Sequence, residues 1–128
     1  MRKTLLAIVA VALFSGNALA ASVDVGDAMD DLAEHYKAAL KAENAQDFKQ
    51  ALEGMKTAAN EAKQGTPPKL EKEAADSEKM KDYHHGLDVL IGQIDKAEQL
   101  ADAGQLTQAK QAAENFKETR NTYHKKYK

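Results

Sequence analysis

The sequence predicts an all-α protein, an antiparallel up-down-up-down four-helix bundle, and three observations carry that prediction. Ala, Lys, Glu and Gln are abundant while Gly and Pro number only 7 and 2, a composition that favours helix on intrinsic propensity. Apolar residues recur at i, i+3, i+4 and i+7 through four stretches, the spacing of one helix face. Only three breaks separate them, near Asn44, at Gly65-Thr66-Pro67-Pro68 and at Ala103-Gly104. The first and third are short enough to make their flanking helices antiparallel neighbours. No strand alternation, internal repeat or charge block competes with this reading.

Ahead of the first helix, Arg2 and Lys3 precede an apolar run from Leu5 to Phe14, and Ser15 to Ala20 ends in a small-x-small pattern. This predicts a cleaved secretory signal peptide over residues 1–20 and one domain over residues 21–128, exported to a periplasm. The apolar run falls well short of the roughly 20 residues a bilayer requires, so no membrane span is expected in the mature chain. Setting aside Arg2 and Lys3 leaves 16 basic against 20 acidic side chains, a formal charge of −4 that argues against a nucleic-acid or anionic-membrane binder. With no Cys, the chain lacks a lipid-anchored thiol, a disulfide, a thiolate metal site and the Cys-x-x-Cys-His motif of covalent haem.

The first helix is expected from about Val25 to Ala42, with Val25, Met29, Leu32, Tyr36 and Ala39/Leu40 inward. Asp24, Asp27, Asp30 and Asp31 crowd its positive end. Asn44 reads as the next N-cap, with Asp47 three residues on. The second helix then runs from about Ala45 to Lys63, with Phe48, Leu52, Met55 and several alanines inward, until Gly65 supplies a left-handed cap and the prolines stop it. Gly65 to about Ala75 is the longest non-helical stretch and the best candidate for an ordered functional loop. A third helix starts near Asp76-Ser77 and runs to about Asp102, with Met80, Tyr83, Leu87, Leu90/Ile91 and Ile94 inward. Gly86 and Gly92 lie inside it, where they would permit close helix approach, though plain tolerance is the favoured reading. The fourth helix is expected unbroken from about Leu106 to Tyr127, with Ala109, Ala112/Ala113, Phe116, Arg120 and Tyr123/His124 inward.

Connectivity decides what can meet. In this topology the start of helix 1, the end of helix 4 and the Gly65–Ala75 loop share one end of the bundle. Met29 and His124 each lie about one turn in from that end, at similar depth for a rise of about 1.5 Å per residue. Leu32, Met55, Tyr83 and Leu87 would wall the space between them, with Pro67 and Pro68 near its mouth. A thioether facing a neutral imidazole suits the two axial positions of haem iron, with both positions filled by protein and none left open for a substrate. That points to electron transfer rather than enzymatic catalysis. Arg120, one turn before His124, would meet the propionates. Each of these residues also has an ordinary structural role: a Met on an inner helical face is most often packing, and a His near a helix C-terminus favours the dipole.

The segments Thr66-Pro-Pro-Lys-Leu-Glu71, Met80-Lys-Asp-Tyr-His-His-Gly86, Val89-Leu-Ile-Gly-Gln-Ile-Asp95 and Thr119-Arg-Asn-Thr-Tyr-His124 resemble those of the soluble periplasmic cytochrome b-562 family. That family is itself a reference case of up-down-up-down topology, so the resemblance and the topology are not independent arguments. The resemblance implies a b-type haem, one per chain and non-covalent, with Met29 and His124 as axial ligands and Arg120 at the haem edge. The family's two pocket-wall aromatics fall on Tyr83 and Leu87, where a phenol must find a partner and a missing ring thins the wall. The implied role is a monomeric, periplasmic one-electron carrier that docks an unidentified redox partner near the Gly65–Ala75 loop, with acid releasing the haem. The alternative is a haem-free periplasmic bundle that binds a client protein, or a divalent metal through His84, His85 and Asp88; His35 reads as solvated.

Overall fold

The computed structural model describes residues 23–127. The expected signal peptide, and the mature start at Ala21, lie outside the described residues. The elements are α1 (Val25–Lys41), α2 (Ala45–Gln64), a 3-10 turn (Pro68–Leu70), α3 (Glu78–Asp102), α4 (Leu106–Glu114) and α5 (Phe116–Tyr127). There is no strand among the described residues, and none of their helices is long and apolar enough to cross a membrane. The fold is the four-helix bundle that the periodicity predicts, with α4 and α5 forming the fourth rod.

Helix starts follow from the residues that cap them. Asp24 accepts from the Asp27 amide at 3.1 Å, Asn44 from the Asp47 amide at 2.8 Å, and Ser77 from the Met80 amide at 3.1 Å. Each satisfies one of the amides that a helix start leaves without a partner. The end of α3 is a Schellman motif: the Gln105 amide reaches the Leu100 carbonyl at 2.9 Å and the Gly104 amide reaches Ala101 at 3.0 Å. Gly104 sits at φ 80°, where a Cβ would be strained.

Contacts run in opposite chain directions between α1 and α2, α2 and α3, and α3 and α5. On α2 and α3, Lys49 pairs with Asp102, Lys56 with Asp95 at 2.7 Å, and Lys63 with Asp88 at 2.5 Å. Lysine advances by seven residues at each step while aspartate retreats by seven, two turns per rung, as near-parallel helix axes require. Antiparallel order on α1 and α2 follows from His35 over Gly54 and Val25 against Gly65. On α3 and α5, Gln93 meets Thr119 and Asp82 meets Lys126.

Alanine supplies nearly half of the buried side chains, with Phe48, Leu52, Met55, Ile94 and Phe116 the largest that are fully enclosed. Small side chains let the rods approach closely and leave little bulk in the interior. α1 packs on α2 and α4, whereas α5 packs on α3 and on the 3-10 turn. The first and fourth rods therefore part at the end where the 3-10 turn lies.

Two expectations change. The fourth helix is not continuous: Asn115 interrupts it, its amide turning back to the Ala112 carbonyl at 3.1 Å. Asn competes for backbone partners inside helices, and the Tyr36 hydroxyl donates to the Ala113 carbonyl at 2.7 Å just before the break. Gly65 is not a left-handed cap either, since its backbone is extended at φ −103° and ψ 179°. Its requirement is space: a Cβ there would lie 2.7 Å from both the Val23 carbonyl oxygen and Val25 Cγ2. The segment that follows carries the 3-10 turn Pro68–Leu70, with Leu70 buried.

Candidate functional site

Where α1 and α5 part, a cavity of about 1090 Å³ opens between α1, α3, α5 and the Gly65–Pro68 segment. All nine residues singled out from the sequence line it: Met29, Leu32, Met55, Pro67, Pro68, Tyr83, Leu87, Arg120 and His124. Leu32, Met55, Tyr83 and Leu87 are buried, while Met29 on α1 and His124 on α5 are half-buried. Pro67 is buried and Pro68 exposed at the edge. Arg120 is exposed rather than inward, with its Nε 3.4 Å from Asn121 Oδ1. It stands at the rim, where a cation can meet both solvent and an anionic group.

The phenol of Tyr83 does not point an unsatisfied hydroxyl into this space. It donates to the Ala62 carbonyl of α2 at 2.7 Å, and burial pushes its pKa up to about 12. Burial likewise raises that of Tyr36, against the opposing field of Arg120. The ring of Tyr83 still walls the cavity while its polar end completes the last turn of α2.

Gly86 is more than tolerated. It is buried, and a Cβ on it would meet Cδ1 of Tyr123 at 2.5 Å. It lets the ring of Tyr123 settle on α3, which fixes how closely α5 approaches. Gly92 meets nothing within 4 Å and matches the tolerant reading.

The metal alternative finds little to stand on. No group of three or more His, Cys, Asp or Glu positioned to hold a metal ion occurs among the described residues, and Asp88 is engaged by Lys63. His84 Nε2 is buried without a hydrogen-bond partner, and its ring lies beside Tyr83 at 5.6 Å.

The family description "Cytochrome b562" matches residues 24–128. A "Probable soluble cytochrome b562 2" of Yersinia pestis is 52% identical over 128 residues, the full length of both chains. This chain belongs to the cytochrome b562 family. A "Probable soluble cytochrome b562 1" of the same organism is 46% identical over 78 residues, 61% of each chain. An uncharacterised protein of Pasteurella multocida is 31% identical over 87 residues, 68% of this chain and 67% of that one.

In this cytochrome b562 family member, Tyr36, Leu90, Phe116 and Tyr123, read from the sequence only as inward, also line the cavity, and Tyr127 was missed. Phe116, Arg120, Tyr123 and Tyr127 follow i, i+4, i+7 and i+11 spacing, so α5 carries a continuous stripe that the periodicity alone could have extended to its last turn.

Proposed function

We propose that this member of the cytochrome b562 family is a periplasmic carrier of one electron, holding one non-covalent b-type haem in the cavity between α1 and α5. The observation that carries the reading is that a thioether and an imidazole, Met29 and His124, line one cavity from two helices that otherwise part. The residues present fit the group: the space of about 1090 Å³ stands at the top of the range of ligand sites, which run to about 1,000 Å³, its deep walls are apolar, and the buried phenols of Tyr36 and Tyr83 are satisfied by carbonyls.

Haem supplies an iron that cycles between ferric and ferrous states, and a Met/His pair favours the ferrous one. The chain's own part is to bind and orient. Met29 and His124 would hold the iron through a thioether and an imidazole, a donor pair suited to electron transfer rather than catalysis. Leu32, Met55 and Leu87 exclude water, and Arg120 would balance the propionates at the wet rim. Export by the leader over residues 1–20 places this carrier in the periplasm, where a redox partner would dock at the mouth beside Pro67 and Pro68.

Absorption spectra of the haem-loaded mature chain in both oxidation states test the reading. Wild type should give sharp low-spin bands, Met29→Ala should lose them, and His124→Ala should retain haem poorly. A chain that stays colourless after loading, or His124→Ala holding haem like wild type, would overturn the assignment.

A further inference from the structure

The twelve residues of α5 are too few to hold a helix unaided, and Phe116 is the buried residue among them. The path of α5 is therefore set by what grips it. Three contacts do so in antiparallel register along α3. Thr119 Oγ1 donates to Gln93 Oε1 at 2.8 Å, Tyr123 rests on Gly86, and Asp82 takes hold of the final turn.

The last contact is the most elaborate. One oxygen of Asp82, Oδ2, accepts from Lys126 Nζ at 3.1 Å and from the Tyr127 hydroxyl. The Tyr127 ring meets Tyr83 edge-on with centroids 6.0 Å apart and stacks on Tyr123 at 6.4 Å. The bond from Tyr127 and the charge of Lys126 hold the Asp82 carboxyl below its usual range, so it stays an acceptor at neutral pH. His124 thus lies between two grips, Tyr123 on Gly86 before it and Lys126 with Tyr127 on Asp82 after it.

We infer that Asp82 is a positioning residue for His124: by clamping Lys126 and Tyr127 to α3, it sets the depth and direction at which the imidazole enters the cavity. The inference rests on His124 being an iron ligand. Asp82 does not line the cavity itself, so its action passes entirely through α5. Groups that orient a metal ligand from outside typically account for about 10- to 100-fold in affinity.

The test uses the mature chain loaded with haem, comparing Asp82→Ala, Asp82→Asn and Tyr127→Phe with Asp102→Ala. Asp102 sits at the far end of α3, in an exposed pair with Lys49, and controls for loss of an ion pair. Asp82→Ala should weaken haem binding by about tenfold and move part of the ferric spectrum from low to high spin. Asp82→Asn, which keeps an oxygen for Tyr127, should restore the low-spin bands, and Asp102→Ala should bind within twofold of wild type. Affinity within twofold of wild type and an unchanged spin state in Asp82→Ala would overturn the inference while leaving the haem reading intact. Should Asp82→Ala lose its helical circular dichroism, Tyr127→Phe decides: a spectrum and affinity equal to wild type overturns the inference. A wild type that binds no haem defeats both readings.

Discussion

The hydroxyl of Tyr83 on α3 donates to the carbonyl of Ala62 in the last turn of α2, at 2.7 Å. Tyr36 on α1 does the same for Ala113 near the end of α4, also at 2.7 Å. Each of these carbonyls already takes a cap amide, Ala62 from Gly65 and Ala113 from Asn115, and the phenol of a neighbouring rod adds a second hydrogen bond. A tyrosine in the cavity wall is no polar intrusion when its polar atom belongs to the next helix.

Tyr83→Phe should therefore leave the haem spectrum low-spin and destabilise the chain by about 1 kcal/mol, the usual worth of a buried hydrogen bond. For a domain of this size that lowers the thermal midpoint by roughly 5 °C. A large spectral change with no loss of stability would show that the hydroxyl acts on the cavity instead.

Alkaline pH should loosen the fold from the ordinary tyrosine value upward. Burial holds Tyr83 up to about 12, and burial with the Asp82 hydrogen bond holds Tyr127 up to about 12. Both folded values lie above the unfolded value of 10.0. The stability they contribute is complete below pH 10 and declines toward pH 12, because the unfolded chain releases the protons first. Urea midpoints measured from pH 8 to 12 should fall across that window, and less steeply in Tyr83→Phe.

The two glycines of α3 should respond oppositely to alanine. Gly92→Ala adds a methyl where nothing lies within 4 Å and should stabilise by about 0.5–1 kcal/mol. Gly86→Ala drives a methyl into Tyr123 at 2.5 Å and should destabilise by about 1–3 kcal/mol while weakening haem retention. Denaturant melts of the two variants provide the comparison, and equal responses would contradict the close contact.

The Lys–Asp ladder should be uneven. Lys56 meets Asp95 at 2.7 Å, Glu98 at 3.0 Å and Glu53 at 3.3 Å, whereas Lys49 pairs with Asp102 at an exposed site. Glu98, desolvated between α2 and α3, is held above the usual carboxylate range. Lys56→Glu should destabilise by about 1 kcal/mol at low ionic strength, discounted for solvent exposure, and the loss should shrink as salt rises. Lys49→Glu should do far less. Thermal midpoints at two salt concentrations separate these outcomes.

Loading with haem should raise the thermal midpoint well above that of the empty chain, since a ligand that binds only the folded state stabilises it by about 2.7 kcal/mol at a hundredfold excess over Kd. An interior built so largely of alanine has little other bulk to contribute. Calorimetry of the two forms measures the difference, and equal midpoints would argue against the cavity as the haem site.

Much of this was legible in the residues. Asn44 and Ser77 announced their caps, Gly104 announced the end of α3, and periodicity with connectivity brought Met29 and His124 to one cavity. What escaped was tertiary in origin. Nothing local distinguishes Gly65 as a left-handed cap from Gly65 as a gap for the Val23 backbone, because the deciding neighbour lies 42 positions earlier. Beside the break at Asn115, the Ala113 carbonyl takes a donor from Tyr36, 77 residues away. Lys49, Lys56 and Lys63 gain their aspartate partners only through the register of α3.

Because α1 leans on α2 and α5 leans on α3, the sulfur and nitrogen donors belong to separate covers of one volume whose spine is the ladder between α2 and α3. Opening those covers breaks no rung of the spine. If Met29 and His124 hold haem, a flat guest should exchange with the already folded chain, because parting those two helices breaks no rung of the ladder.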